Sequence, residues 1–328
     1  MRIVLMSLAT RLLPVTSVLT ASVLLAGCGQ LGDSASGDGR RAVASFYPLA
    51  WVTERVAGDA WTVENLTQPG SEPHDLSLTI AQTAALEQAD LVVLEDGFQP
   101  AVDATAAEAD APVLDAAEVV DLLPASETEE EHAAHEEHEE HEESGEEGHD
   151  HDHDHGDVDP HFWLDPLKVA DLADAVAEEL ADADPDNATT YTDNAADVRA
   201  ELEQLDQDYT AGLASCERTT TVVSHDAFSY LSRYGLEFEP IAGLSPDAEP
   251  TAADLARLQE LIREEGVTTV FSERLVSAKM AETLADDLGV TTAVLDPIEG
   301  LSDDTSDEDY LSLMSENLTA LQQANGCS

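Results

Sequence analysis

Three histidines, His74, His161 and His225, are set apart by position, because the other eight of the chain's 11 lie in one acidic tract. His225 directly follows a β-branched run that is typical of a strand, and Asp296 ends another such run. In open parallel sheets, ligands bind beyond the carboxyl ends of the strands. Imidazole nitrogens together with a carboxylate oxygen suit a borderline-soft ion such as Zn²⁺. The pattern therefore predicts a four-coordinate metal site formed by His74, His161, His225 and Asp296.

Each of these residues also has a simpler interpretation. A single His near a strand end often only makes a structural hydrogen bond, and an Asp before a Pro, as Asp296 is, often forms a turn. Glu273, at the end of another apolar run, is the alternative carboxylate ligand, or else it accepts a hydrogen bond from a ligand imidazole. Glu72 and Asp75 flank His74 and could play that second role. The joint pattern favours the metal site.

The acidic tract is the segment Glu127–Asp157, which contains 16 acidic residues and eight histidines but no Lys or Arg. Such a composition cannot bury a core, so we expect a disordered insertion. Its ligand-rich sequence predicts an auxiliary, weaker zinc collector, and the alternative is a solvated acidic spacer that binds zinc incidentally. The histidines of the tract are His132, His135, His138, His141, His149, His151, His153 and His155.

Alternating strand-like and helix-like segments must position these side chains. Short apolar runs such as Leu91–Leu94 are typical of buried strands, and stretches with helical periodicity follow them. The alternation occurs in two groups, which indicates an α/β fold of two lobes, each with a parallel sheet flanked by helices. We assign residues 42–186 to the N-terminal lobe and residues 214–328 to the C-terminal lobe.

The segment Asn187–Ala211 contains no Gly or Pro, and Val198, Leu202 and Leu205 recur in it at helical spacing. Twenty-five helical residues span about 37 Å, which is long enough to reach from one lobe to the other. We therefore expect residues 187–213 to form one long, rigid linking helix. The alternative is an ordinary surface helix of one lobe.

The charge of the chain excludes two classes of partner. Its 328 residues include 70 Asp and Glu against 13 Lys and Arg, for a formal net charge of -57. A nucleic-acid binder or a basic patch for anionic lipid would need the opposite sign. Abundant carboxylates with few lysines indicate a surface kept soluble in high salt, and the alternative is an acidic protein from an ordinary habitat.

Residues 1–27 are basic at first and then apolar, which is typical of a secretory signal rather than a spanning helix. They end in Leu-Ala-Gly before Cys28, which resembles a bacterial lipobox, in which the Cys becomes the first mature residue and carries lipid. The alternative is an ordinary anchor or cleaved signal. We expect a protein tethered by residues 28–41 to the outer face of the cytoplasmic membrane.

Cys216 and Cys327 are then the two remaining cysteines. An even pair in an oxidising compartment predicts a disulfide, and the alternative is two unpaired thiols.

Several motifs are similar to those of one family, the metal-binding lipoproteins that feed bacterial ABC importers of zinc and manganese. The similarity covers Ala42–Gly326 and keeps the order of the family's motifs. The matching segments are Gly70–Asp75, Asp159–Pro166, Asp184–Ala188, Ser224–Phe228, Gly243–Pro250 and Leu295–Pro297. The resemblance implies two α/β lobes joined by one rigid helix, with the metal site in the cleft between them.

The resemblance also implies a metal preference. Manganese members of the family usually have a carboxylate at the position of His225, and a third imidazole favours Zn²⁺. An acidic, histidine-rich insertion is a trait of the zinc branch. One departure is the absence from Leu76–Thr79 of the Pro that usually follows the first motif, which puts the conformation of that loop in question but not the ligand.

An enzyme is not expected. Four protein ligands leave no open position for an activated water, and the sequence contains neither His-Glu-x-x-His nor Gly-x-Ser-x-Gly. The prediction is a monomeric, extracytoplasmic Zn²⁺-binding protein that delivers zinc to an ABC permease with its cytoplasmic ATPase. The alternatives are a manganese or iron carrier of the same fold, an extracellular zinc buffer or adhesion lipoprotein, and a secreted zinc hydrolase.

Overall fold

The structure is a computed structural model, and it describes residues 39–125 and 158–328. The predicted signal, Cys28 with its predicted lipid, and the tract Glu127–Asp157 lie outside the described residues. Among the helices of the two described ranges, none is both long enough and apolar enough to cross a membrane.

The N-terminal lobe contains a four-stranded parallel sheet in the order β2-β1-β3-β4. All four side chains of its central β3 are buried, as expected of a strand covered by helices on both faces. The capping box of Thr79 and Gln82 begins the second helix and so ends the loop after β2. The elements are β1 (Arg40–Ala44), α1 (Tyr47–Ala57), β2 (Trp61–Asn65), α2 (Ile80–Glu87), β3 (Leu91–Leu94), α3 (Pro100–Ala106), β4 (Val113–Asp115) and α4 (Ala116–Val119).

Two short strands and two helices follow. Strands β5 (Leu123–Pro124) and β6 (Val158–Asp159) pair antiparallel on either side of the acidic tract. Helix α5 (Pro166–Ala183) begins where the Asp165 side chain accepts a hydrogen bond from the Leu167 backbone N–H. Helix α6 (Ala188–Leu213) is the predicted linking helix.

The C-terminal lobe repeats the parallel arrangement, with the strand order β10-β9-β7-β8. Its sheet is again flanked by helices, so the predicted α/β class with two parallel sheets is confirmed. The elements are β7 (Thr220–Val223), β8 (Glu237–Pro240), α7 (Ala252–Glu264), β9 (Thr269–Ser272), α8 (Lys279–Leu288), β10 (Thr291–Val294) and α9 (Tyr310–Asn325).

Helix α6 is attached to both lobes. Near its start, the hydroxyl of Tyr191 accepts a hydrogen bond from Trp61 Nε1 of β2 at 2.9 Å. Near its end, the hydroxyl of Tyr209 donates to the backbone oxygen of Met314 in α9 at 2.7 Å. Both tyrosines are fully buried. One continuous helix therefore spans from lobe to lobe, which confirms the predicted linker over the alternative of a one-lobe surface helix.

Aromatic side chains join the lobes directly. Trp51 of α1 packs on Tyr310 of α9, with ring centroids 4.8 Å apart. Trp163, which follows β6, donates from Nε1 to the Pro297 backbone oxygen at 2.7 Å and accepts from the Tyr310 hydroxyl at its own backbone oxygen at 2.6 Å. These residues belong to one apolar core that extends through both lobes and α6. The core thus fixes the strand ends of the two sheets opposite each other.

The predicted disulfide is present between Cys216, just after α6, and Cys327, just after α9. Around it, the Glu217 backbone N–H donates to the Asn325 backbone oxygen at 3.0 Å. Gly326 ends α9 with a φ of +66°, a left-handed conformation that glycine adopts without steric cost. The bond therefore ties the start of the C-terminal sheet to the end of the chain.

Replacing both Cys216 and Cys327 by Ser is expected to lower the free energy of unfolding. The two cysteines are 111 residues apart, and opening so long a loop costs about 4–5 kcal/mol in the chain-entropy picture. Denaturant unfolding of the metal-free protein measures the loss. The reduced wild-type protein is the control and should unfold like the double variant. Two reactive thiols in the unreduced protein would contradict the bond.

Candidate metal centre

Four side chains converge in the cleft between the lobes. His74, from the loop after β2, and His161, from the segment after β6, belong to the N-terminal lobe. His225, directly after β7, and Glu299, in the loop after β10, belong to the C-terminal lobe. One ligand atom from each of the four lies within 4.8 Å of the others. Both sheets therefore contribute side chains from beyond the carboxyl ends of their strands, as parallel sheets do at ligand sites.

The separations match those of a tetrahedral ion site. Oε1 of Glu299 lies 3.4 Å from Nε2 of His74, 3.4 Å from Nε2 of His161 and 3.3 Å from Nε2 of His225. The Nε2 atoms of His161 and His225 are 3.4 Å apart. Four ligands held about 2.0–2.1 Å from a central Zn²⁺ in a tetrahedron are about 3.3–3.4 Å from one another. Four of the six edges thus have the length that zinc requires.

Carboxylates behind two of the rings fix their orientation. Nδ1 of His161 lies 2.8 Å from Oδ1 of Asp159, which also accepts the backbone N–H of His161 at 2.9 Å. Nδ1 of His225 lies 2.5 Å from Oε1 of Glu273, to which Ser224 Oγ also donates. When each Nδ1 donates its proton to the carboxylate, each Nε2 presents a lone pair to the cleft.

His74 is held differently and marks the open side of the cluster. Its backbone N–H donates to Glu72 Oε1 at 3.1 Å, and its ring packs edge-on against Phe98, with centroids 4.6 Å apart. Its side chain is 15% exposed, whereas the side chains of His161 and His225 are fully buried. Solvent therefore reaches these imidazoles from the side of His74.

Hydrogen bonds within and around the loop after β10 orient the Glu299 side chain toward the cleft. The side chain of Asn317 in α9 accepts the Asp296 backbone N–H at 2.9 Å and donates to the Asp296 backbone oxygen at 2.6 Å. Oδ1 of Asp296 accepts the Ile298 backbone N–H at 2.8 Å. Ile298 has a φ of +59°, which is rare for a β-branched residue. Full burial of the Ile298 side chain offsets the backbone strain.

Asp296, the predicted carboxylate ligand, does not lie among the four side chains of the cluster. Its Oδ2 accepts a hydrogen bond from Arg274 Nε at 2.9 Å, and its Oδ1 is occupied by Ile298. Glu299, three residues further along, takes the place beside the imidazoles. The alternative carboxylate, Glu273, lies behind the ring of His225. The signal available in the sequence was the Asp-Pro pair, because an Asp before a Pro often forms a turn.

In the metal-free protein, the groups of the cluster shift one another's pKa values. Burial alone would lower the pKa of His225, but the charge and hydrogen bond of Glu273, with Glu299, outweigh it and raise the pKa to about 10. Burial opposes protonation of His161 as well, yet hydrogen bonds to Asp159 and Glu299 raise its pKa. Burial would raise the pKa of Glu299, but hydrogen bonds from the three imidazoles bring it well below its usual range. Protons therefore occupy the site when metal does not.

Comparison with known proteins gives consistent matches. The family described as zinc-uptake complex component A, periplasmic, matches residues 42–324. The zinc-binding lipoprotein AdcA of Streptococcus pneumoniae (strain ATCC BAA-255 / R6) is 35% identical over 315 residues, which cover 94% of this chain and 60% of the relative. The high-affinity zinc uptake system protein ZnuA of Bacillus subtilis (strain 168) is 34% identical over 313 residues, covering 92% and 94%. This chain thus spans less than two thirds of the length of AdcA.

Solved structures agree in fold. The Zn(II)-bound ZnuA-like domain of Streptococcus pneumoniae AdcA matches with a TM-score of 0.68 and 32% identity, over 88% of this chain and 99% of that one. The laminin-binding protein Lmb of Streptococcus agalactiae, described as having adhesin and metal-transporting activity, matches with a TM-score of 0.72 and 28% identity, over 87% and 99%.

Metal affinity is expected to rise with pH. An ion must displace the proton of His225, whose pKa is about 10, so affinity should rise about tenfold per pH unit for each proton released. Chelator competition between pH 6 and pH 8 measures the slope. An affinity that does not change with pH would contradict this picture of the site.

The raised pKa of His225 also predicts how the stability of the metal-free protein changes with pH. The pKa of His225 is raised from 6.5 to about 10 in the folded protein. Its contribution to stability is therefore complete below pH 6.5 and is lost as the pH rises through about 10. Thermal melts of the metal-free protein across this range should show falling stability, and His225→Gln should flatten the dependence.

Proposed function

Because this chain belongs to the family of periplasmic zinc-uptake components, we propose that it captures Zn²⁺ outside the cytoplasmic membrane and delivers it to an ABC-type permease. The observation that carries the proposal is the arrangement of three imidazole Nε2 atoms 3.3–3.4 Å from one carboxylate oxygen of Glu299. This is the set of ligands and the spacing that a tetrahedral zinc ion requires.

The proposed ligands are His74, His161, His225 and Glu299. Three nitrogen ligands and one oxygen ligand favour Zn²⁺ over Mn²⁺, which prefers sites rich in oxygen. Asp159 and Glu273 accept from two of the ligand rings, so their negative charges also favour a dication in the cleft. A manganese or iron carrier is therefore the less favoured function.

The role in transport rather than catalysis follows from the number of ligands. A hydrolytic zinc centre keeps a position open for water, whereas four protein donors complete the tetrahedron proposed here. Relatives of the chain are named as zinc-uptake and zinc-binding proteins. We propose a non-enzymatic carrier, anchored by lipid on Cys28, that acts as a monomer with a permease and its ATPase.

Two variants distinguish the proposed ligand Glu299 from its neighbour Asp296. Glu299→Gln keeps the side-chain shape but removes the anionic ligand, so zinc affinity should fall by more than about 100-fold. Asp296→Asn alters only the support of the loop and should cost no more than about tenfold. Chelator competition at one fixed pH compares the two. A larger loss in the Asp296 variant than in the Glu299 variant would return Asp296 to the ligand set.

We propose that the tract Glu127–Asp157 is an auxiliary collector that holds additional zinc weakly. On either side of it, Pro124 and Val158 pair in β5 and β6. Removing the tract leaves Ala125 and Ser126 as a two-residue connection, and replacing these by Asn-Gly would suit a tight hairpin.

Calorimetric titration of the deletion variant with Zn²⁺ tests this role. One tight site should remain, because its ligands all lie outside the tract, and the weaker binding of the full chain should disappear. The weak sites of the full chain should also empty near pH 6, where free imidazoles gain protons. Loss of the tight site, or unchanged stoichiometry, would contradict the proposal.

A further inference from the structure

Glu95 is a buried carboxylic acid that belongs to no interaction yet described. It follows β3 at the carboxyl edge of the N-terminal sheet, and only 2% of it is exposed. Within residues 39–125 and 158–328, neither Oε1 nor Oε2 of Glu95 has a hydrogen-bond partner. A buried polar group without a partner costs free energy. The position of Glu95 therefore suits a ligand that is not part of the protein chain.

Glu95 is one of the residues that line a cavity of about 160 Å³. His74 and Phe98 line it on the side of the metal cluster, and Val158 and Ser245 line it elsewhere. Val158 belongs to the N-terminal lobe and Ser245 to the C-terminal lobe, so the cavity lies in the cleft between them. At about 30 Å³ for each water molecule, it can hold a cation with part of its hydration shell.

The cavity is also the side from which the cluster can be reached. Of the three imidazoles, only that of His74 is partly exposed, and His74 is the one that lines this cavity. An ion that enters from here meets Glu95 and His74 before the two fully buried rings.

We propose that Glu95 forms a transit site, at which its carboxylate binds the incoming, partly hydrated zinc ion before His74 takes that ion into the cluster. The inference rests on the proposed function of zinc capture and adds a kinetic role for a residue outside the four ligands. Glu95 speeds the passage of the ion in both directions without contributing to the final site.

The protonation of Glu95 suits brief rather than lasting binding. Burial raises the pKa of Glu95 well above its usual range, and the nearby charges of Asp115, Asp159 and Asp103 raise it further. Without an ion, burial favours the protonated, neutral form of the side chain. As zinc arrives, the O–H bond breaks, the proton passes to water in the cavity, and a Zn–O bond replaces one bond from zinc to water. When the ion moves on, Glu95 takes up a proton again and does not retain the metal.

The test is the rate of zinc exchange in Glu95→Gln, which keeps the shape of the neutral acid but cannot ionise. Stopped-flow mixing with Zn²⁺ alone can follow tryptophan fluorescence, because the Trp163 ring lies 5.2 Å from that of His161. Association and dissociation rates should both fall by roughly tenfold, because the ion in passage loses the carboxylate that stabilises it in either direction, and Kd should stay nearly unchanged.

Glu54→Gln is the matched control. Glu54 is also a carboxyl whose pKa burial raises, but it lies on α1 and does not line the cavity. Its rates should equal those of the wild type. Unchanged rates in Glu95→Gln would overturn the transit site. So would a weaker Kd with an unchanged association rate, because that result would make Glu95 part of the tight site.

A second variant, Ser245→Trp, tests the proposal if Glu95→Gln does not fold. Ser245→Trp narrows the cavity from the opposite lobe while leaving Glu95 intact, so it too should slow both rates. Unchanged rates in that variant would count against the cavity as the route. Failure of the wild-type protein to bind zinc tightly would instead refute the proposed function, which keeps the two ideas separable.

Discussion

One carboxylate oxygen, Oε1 of Glu299, lies 3.3–3.4 Å from the Nε2 atoms of three imidazoles, and the arrangement of both lobes brings these four atoms together. Removing these polar groups from water is costly unless they are paired. In the metal-free protein, protons on the imidazoles supply the positive charge that the carboxylate needs. A dication supplies it better, because it can be shared among all four ligand atoms at once. Either kind of positive charge therefore balances the buried carboxylate.

Two different devices hold the ligands in place. The rings of His161 and His225 are fixed by Asp159 and Glu273, which makes their orientation a matter of short hydrogen bonds. Glu299 is instead held by the backbone of its loop, which is hydrogen-bonded to α9 through Asn317. The first device sets the direction of a lone pair, and the second sets the position of a charge.

The sequence was informative where local pattern controls structure. His225 directly follows a strand-like run, so parallel-sheet geometry indicated its place at the site, whereas His74 and His161 were singled out as histidines outside the acidic tract. The absence of Gly and Pro from residues 187–211 predicted α6. The carboxylate could not be inferred in this way. Its position depends on the left-handed Ile298 and on the contact of Arg274 with Asp296, both of which are tertiary.

The contacts of Trp51 and Trp163 with the C-terminal lobe have a consequence for an acidic protein in concentrated salt. Ion pairs between lobes would be screened there, since the Debye length falls to about 3 Å at 1 M. Buried aromatic surface is not weakened by screening, and salts that are excluded from protein surfaces strengthen its burial. Concentrated salt therefore strengthens the buried aromatic contact that joins the two lobes of this highly charged chain. Cooling, rather than salt, would weaken that contact.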